Sequence, residues 1–394
     1  MKKLFTRTIP ALMLVAGCLT LSACGGIPGD VTEPPAVIQT TEATQPAAIC
    51  FSPELKEKLD QVLKQNKFTG VVKLTYQGET VYTSATGTNH LGQPRTVEDP
   101  MFIGSISKQF CATAVMILRD QGKLSVEDTL DKYFPEYTHG KEITIKNLLT
   151  MRSGLVRDCD PMGKNPQDYF HQSKEENIAA FKQWVFDQPL MFTPGTEIFY
   201  SNVNYTLLSL IVEAVSGQEY DDFLRQQILE PVGMEHTGFI REVKDAPQWA
   251  QGLTYDKLEL EGTLLTQEHP QLCVLQGCGD LVSTAGDMDL WMTALTGGQI
   301  ICRESYLEML ANDSSKNSME MYGYGLMSGV RGGNEHGGNV GRYASMMYFN
   351  EEYGFQLYMN TSEATIYTMD IAQKTCTDFL RTLYQALDGA EKAE

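Results

Sequence analysis

The sequence predicts an α+β fold: an antiparallel sheet built from both ends of the chain and flanked by helices, with a helical subdomain inserted. Three observations carry that expectation. Near the start, the β-rich runs Thr69–Tyr76 and Thr80–Ser84 meet through Gln77-Gly78-Glu79, as the arms of a hairpin do. Near the end, Tyr322–Val330, Tyr343–Phe349 and Phe355–Asn360 read as strands. Between about 105 and 300 the apolar spacing is mostly helical. Ser52-Pro53 supplies a cap and a first-turn proline for a helix whose apolar stripe is Leu55, Leu59, Val62 and Leu63. Phe110 to Leu118 continue another helix, which Gly122 can end. Ala364–Leu387 reads as a closing helix. The sheet part thus spans about 50–104 and 300–390, and the helical part about 105–299, with no internal repeat.

The chain has 394 residues, with 31 Lys plus Arg against 50 Asp plus Glu, a formal charge of −19. Nucleic-acid affinity rests on cationic side chains neutralising phosphates, so this balance excludes a nucleic-acid partner. Nine cysteines scattered over this length do not make a disulfide scaffold. Residues 1–23 read as a signal peptide: Lys2, Lys3 and Arg7, then an apolar stretch from Ile9 to Ala23 too short to span comfortably. It ends in Leu21-Ser22-Ala23-Cys24, which resembles a bacterial lipobox, in which the cysteine thiol carries the lipid. Residues 25–49 hold four prolines, six Thr or Gln residues and no Lys or Arg, the composition of a solvated tether. The best later apolar run, Tyr205 to Val215, carries Glu213 and is too short to cross a membrane. The expected location is therefore the extracytoplasmic face of a bacterial membrane, with the domain held by a lipid on Cys24.

Three motifs carry chemistry. Ser105 and Lys108 are three apart at a helix start, so ammonium and hydroxyl share a face. A serine needs a neighbouring base to become a nucleophile. By itself the pair is also what a capping serine and a solvated lysine look like. Tyr200-Ser201-Asn202 sits at a loop-to-helix junction, which can point a phenol into a cleft. Tyr348-Phe349-Asn350 and Tyr358-Met359-Asn360 share its pattern but lie in strands, where alternating Tyr packs. Glu335-His336-Gly337-Gly338-Asn339 enters a strand, whereas His236-Thr237-Gly238 follows Pro231-Val232-Gly233-Met234 and reads as a turn.

Taken in order, Ser105-x-x-Lys108, Tyr200-Ser201-Asn202 and His336-Gly337-Gly338 resemble the three motifs of the class C β-lactamase family. That family includes D-alanyl-D-alanine carboxypeptidases, D-aminopeptidases and esterases. Leu148-Leu149-Thr150 through Gly154-Leu155, Pro194-Gly195, Glu230 to Met234, and Gly279 to Thr284 followed by Asp287 resemble it too. The likeness covers about 55 to 385. It implies a β-lactamase/transpeptidase-like fold with the active site between sheet and helices, a covalent acyl-enzyme, and no cofactor. Residue by residue, it implies Ser105 as nucleophile and Tyr200 as base, its pKa lowered by Lys108. It implies Asn202 holding Lys108 or the substrate amide, and the N–H groups of Ser105 and Asn339 as oxyanion donors. Gly337 and Gly338 would let the backbone approach the substrate closely. His336 stands where β-lactamases usually carry Lys and where several peptidases and esterases carry His. A neutral His holds a substrate carboxylate less well than Lys.

His90, His139, His171 and His269 have no second ligand at metal spacing, so no metal is expected. Cys111 reads as core, and Met346-Met347 as strand packing. Cys273 and Cys278 are near enough to pair, but seven cysteines beyond Cys24 leave one odd, and no bridge is assigned. The expected activity is hydrolysis of an ester or a D-amino-acid-containing peptide amide, with cell-wall-derived peptides among the candidate substrates. The alternatives are a β-lactamase or D-Ala-D-Ala carboxypeptidase proper, or a non-catalytic penicillin-binding sensor. The complete set of Ser105, Lys108, Tyr200 and His336 argues against the last. Oligomeric state is left open. The lipobox reading predicts that Cys24→Ser releases the protein from the membrane fraction; a variant that still sediments with membranes would refute anchoring through this residue.

Overall fold

The strands at the two chain ends do join. In the computed structural model, which describes residues 49–89, 93–158, 173–240, 258–260, 263–265, 276–310, 322–340, 343–362 and 368–391, they form one six-stranded antiparallel sheet. Cys24, the tether to residue 48, His90, His171, His269, Cys273 and residues 364–367 of the expected closing helix lie outside the described residues.

Along the chain, α1 (Pro53–Gln65) leads into β1 (Gly70–Tyr76), β2 (Glu79–Ala85) and the short β3 (Met101–Phe102). The helical part follows: α2 (Ser107–Asp120), α3 (Ile145–Leu149), α4 (Lys174–Phe186), α5 (Asn202–Ser216), α6 (Tyr220–Leu224) and α7 (Glu230–Val232). Next come β4 (Gly238–Phe239), β5 (Leu258–Leu260), β6 (Thr263–Leu265), β7 (Leu281–Ser283), α8 (Ala285–Thr296) and α9 (Arg303–Met309). The chain returns to the sheet as β8 (Met327–Ser328), β9 (Asn334–Val340), β10 (Tyr343–Asn350) and β11 (Phe355–Thr361), then closes with α10 (Thr368–Glu391). The strand order β2-β1-β11-β10-β9-β8 sets the first hairpin beside the last strand.

Local chemistry accounts for these elements. The Ser52 hydroxyl caps α1 at Leu55 N (3.3 Å), with Pro53 at the first helical position. The strand pleat divides the sheet's side chains between two cores. Val72, Leu74, Met346, Leu357 and Met359 pack against Leu55, Leu59 and Leu63 of α1 and Phe379 and Leu383 of α10. Val71, Met347, Phe349 and Tyr358 face the helical side. There Lys73 meets Asp289 of α8 at 3.1 Å, so α8, grouped with the helical part on sequence, lies on the sheet. Helix α2 is buried along nearly its whole length, Cys111 included, and Phe110 stacks on Trp291 of α8 at 3.9 Å.

Two expectations need correcting. Of the stretch 322–330, only Met327–Ser328 is a strand; Gly323 and Gly325 turn the chain before it, and Gly329 leads into a helical turn. A second, three-stranded sheet, β3-β7-β4, draws two of its strands, β4 and β7, from the region read as helical. Its strands of two or three residues are too short to show a period.

Strand β9 also abuts the segment ahead of α2. A Cβ on Gly338 would lie 1.9 Å from the Ile103 carbonyl oxygen and 2.7 Å from Ser345 Oγ, which itself donates to that carbonyl at 2.7 Å. Only glycine permits this approach. Gly338→Ala is therefore expected to cost about 1–3 kcal/mol, as overpacking does. Gly389→Ala, in α10 with no atom within 4 Å, should be neutral or slightly stabilising. Equal melting temperatures for the two variants would refute the close contact.

Candidate active site

The contact at Gly338 fixes where the Ser105 turn sits. Ser105 lies in a 3-10 turn, Gly104–Ile106, immediately ahead of α2. Gly104 adopts φ +52°, and a Cβ there would be 2.6 Å from Asn339 N, so the backbones at 104 and 339 touch. One turn on, Lys108 is fully buried. Its Nζ donates to Ser105 Oγ (3.0 Å), Asn202 Oδ1 (2.7 Å) and the Cys278 carbonyl (2.7 Å). Three acceptors match the three N–H donors of an ammonium.

Helix α5 supplies the second motif. Ser201 caps it, accepting from Asn204 N at 3.4 Å, and this fixes Asn202 on the first turn and Tyr200 just outside. The half-buried Tyr200 ring lies with its centre 5.0 Å from Lys108 Nζ. The structure thus brings Ser105, Lys108, Tyr200 and Asn202 together. Asn339 is exposed beside Gly104.

His336 is on β9, 6.4 Å ring to ring from Tyr200. It is 2% exposed, and its pKa is pushed down to about 3, first by burial and then by the nearby Lys108 charge. Its Nδ1 is 2.6 Å from the Gly337 carbonyl, and its Nε2 is 3.0 Å from the Tyr322 hydroxyl. A carbonyl only accepts, so Nδ1 carries the proton and Nε2 accepts from Tyr322. Burial keeps the Tyr322 phenol protonated, consistent with that direction. Both ring nitrogens are thereby occupied, and the imidazole serves as a fixed neutral wall rather than an open donor. His236, by contrast, is 59% exposed on a turn, its backbone N–H and Thr237 Oγ1 both donating to Asp287.

The competing Tyr-x-Asn pairs are packing, each Asn donating to the hydroxyl of its own Tyr within the strand: Asn350 to Tyr348 at 3.2 Å, Asn360 to Tyr358 at 2.9 Å. His139 pairs with Glu142 at 2.8 Å, and among the described residues no His, Cys, Asp or Glu cluster is arranged to hold a metal. Sequence reasoning missed four contributors: Tyr322, Arg157, Asp158 and the Cys278 carbonyl. Arg157 and Asp158 come one residue after the Leu148–Leu155 segment, and that nearness was the available signal.

Comparison with known proteins agrees with the fold. A family model described as Beta-lactamase matches residues 55–368. The protein PbpX of Bacillus subtilis (strain 168) is 30% identical over 286 residues, 71% of this chain and 67% of that protein. A teichoic acid D-alanine hydrolase of Staphylococcus aureus is 24% identical over 309 residues, 77% of this chain and 73% of that protein. Among solved structures, D-amino acid amidase from Ochrobactrum anthropi SV3 superposes with a TM-score of 0.68 at 21% identity, covering 84% of this chain and 99% of that one. The chain belongs to the beta-lactamase family, as an enzyme of its class C-like serine hydrolase branch.

Proposed function

We propose that this hydrolase cleaves an ester or amide formed on the carboxyl group of a D-amino acid, through an acyl-enzyme on Ser105, outside the cytoplasm and tethered by a lipid on Cys24. The observation that carries the substrate class is the neutral, buried His336, 2% exposed with its pKa down at about 3. Where a β-lactam-hydrolysing site holds a carboxylate by charge, this strand offers no cation. The teichoic acid D-alanine hydrolase among its relatives, by its name, releases D-alanine from a polymer, which accords with such an acyl group.

Chemically, Ser105 Oγ bonds to the acyl carbon while its proton passes to Tyr200. The oxygen of the tetrahedral intermediate takes its charge toward the N–H groups of Ser105 and Asn339, a type of stabilisation worth about 3–4 kcal/mol per donor. The intermediate collapses as the leaving alcohol or amine departs with the proton. Water, deprotonated by the same base, then attacks the acyl-serine and frees the acid and Ser105. Lys108 already gives three hydrogen bonds, one of them to Ser105 Oγ, so the serine proton faces away from it.

A panel of D-alanyl esters, D-amino-acid amides and nitrocefin tests the assignment, with acyl-enzyme mass spectrometry locating the adduct. Turnover of D-alanyl substrates by the wild type and its loss in Ser105→Ala are expected. Nitrocefin hydrolysis at the efficiency of a dedicated β-lactamase would overturn the substrate class, and an adduct on Ser107 or Ser201 the nucleophile. A second prediction concerns pH. His336 stays neutral in the folded chain down to about 3, whereas in the unfolded chain it takes a proton near 6.5. Below that pH the unfolded state therefore binds more protons, and stability falls by up to about 1.4 kcal/mol per pH unit from this group. Above it the contribution vanishes. The stability of the wild type should fall more steeply than that of His336→Gln between about pH 6.5 and 4. Parallel curves would mean that His336 is not held neutral.

A further inference from the structure

The geometry points to Asp158 as a positioning residue: it fixes the amide of Asn202 and, through that amide, the Lys108 ammonium beside Ser105. This rests on the reading of Ser105 as nucleophile. Lys108 can only donate hydrogen bonds, and an ionised carboxylate can only accept them. Asn202 stands between the two, its Oδ1 2.7 Å from Lys108 Nζ and its Nδ2 2.6 Å from Asp158 Oδ1. Rotated by half a turn, the amide would set its NH2 against the ammonium and its oxygen against the carboxylate. Opposite ions at its two ends therefore leave one orientation, the one that gives Lys108 an acceptor. Remove Asp158, and the amide is tethered at the Lys108 end alone, so its side chain can swing away from the ammonium.

Asp158 is delivered to that spot by a built connection. Ser201 Oγ donates to the Val156 carbonyl at 2.6 Å, and the N–H groups of Asn202 and Val203 donate to the Arg157 carbonyl at 2.7 and 3.4 Å. These bonds stitch residues 156–158 to the first turn of α5, which carries Asn202. Arg157 Nε lies 3.1 Å from Asp158 Oδ2, engaging the second carboxylate oxygen, and the Arg157 guanidinium carbon is 5.4 Å from the Tyr200 ring centre. With side chains 59% and 45% exposed, the Arg157–Asp158 pair contributes little to folding. The order Ser105–Lys108–Asn202–Asp158 follows the logic of a nucleophile and its activator, oriented in turn by further groups.

Two readouts on the full-length protein test this: the rate at which a fluorophosphonate labels Ser105, and hydrolysis of an uncharged p-nitrophenyl ester that carries no amine. Asp158→Ala should slow both by about ten- to a hundred-fold, as a displaced catalytic group does. KM should stay within about threefold, because no ground-state contact is lost. The melting temperature should match the wild type. Asp158→Asn, whose amide oxygen can still accept from Asn202, should recover part of the loss. Wild-type labelling and kcat in Asp158→Ala would overturn the inference. So would a loss confined to KM and to substrates bearing a free α-amine, since Asp158 would then contact substrate rather than Asn202. Absence of Ser105 labelling in the wild type would overturn the nucleophile and this inference with it, whereas failure of the Asp158 variants alone leaves the nucleophile standing.

Discussion

A buried ammonium is the constraint from which the rest of the site follows. Lys108 is shielded from water, and taking such a charge out of water costs several kcal/mol unless its donors are met. Its three acceptors come from three parts of the chain: Ser105 in the turn ahead of α2, Asn202 on the first turn of α5, and the Cys278 carbonyl shortly before β7. They satisfy it together only if α2, α5 and the segment entering β7 are docked at the same time. The hydrogen bond from Leu281 N to Ser107 Oγ at 3.1 Å and the Phe110–Trp291 stack hold that docking from either side of the lysine. The Ser105 hydroxyl is thus placed by the same contacts that make the charge tolerable.

Much of this was legible in the sequence, and the gaps have physical causes. The sheet from both chain ends was readable because β1, β10 and β11 are runs of seven or eight residues bounded by turns. The motif residues were readable because Ser105 and Lys108 are local to one turn, and Tyr200 and Asn202 to one helix start. Tyr322 was missed because its contact to His336 depends on the chain reversing at Gly323 and Gly325, a turn that the strand reading smoothed over. The Cys278 acceptor is a backbone carbonyl, and any residue type would supply it. Asp158 gains its meaning from Asn202, 44 positions away, once α5 is capped by the Arg157 carbonyl. No periodicity reports a partnership of that kind.

His336 shows how a family motif can be kept in place while its chemistry changes. Gly338 holds β9 close to Ile103, and the ring nitrogens are consumed by the Gly337 carbonyl and the Tyr322 hydroxyl. The family resemblance implies an imidazole at a substrate-binding position. The structure makes it part of the strand's internal bonding, with Tyr322 and Tyr200 edge-to-face at 5.9 Å beside it.

The electrostatics of the site follow from that arrangement. The Lys108 charge is one reason why the His336 imidazole resists protonation, burial being the larger. A second cation at this position would face both the repulsion of Lys108 and the loss of its own hydration, and the carbonyl of Gly337 alone does little to offset them. Keeping residue 336 neutral lets Lys108 stay buried against Ser105 with its acceptors undisturbed. On the proposed function, anchoring of substrate would then rest on the backbone N–H groups of Ser105 and Asn339, neither of which needs a carboxylate on the leaving side. On that proposal, an acyl group on an uncharged alcohol or amine is favoured over a penicillin-like anion.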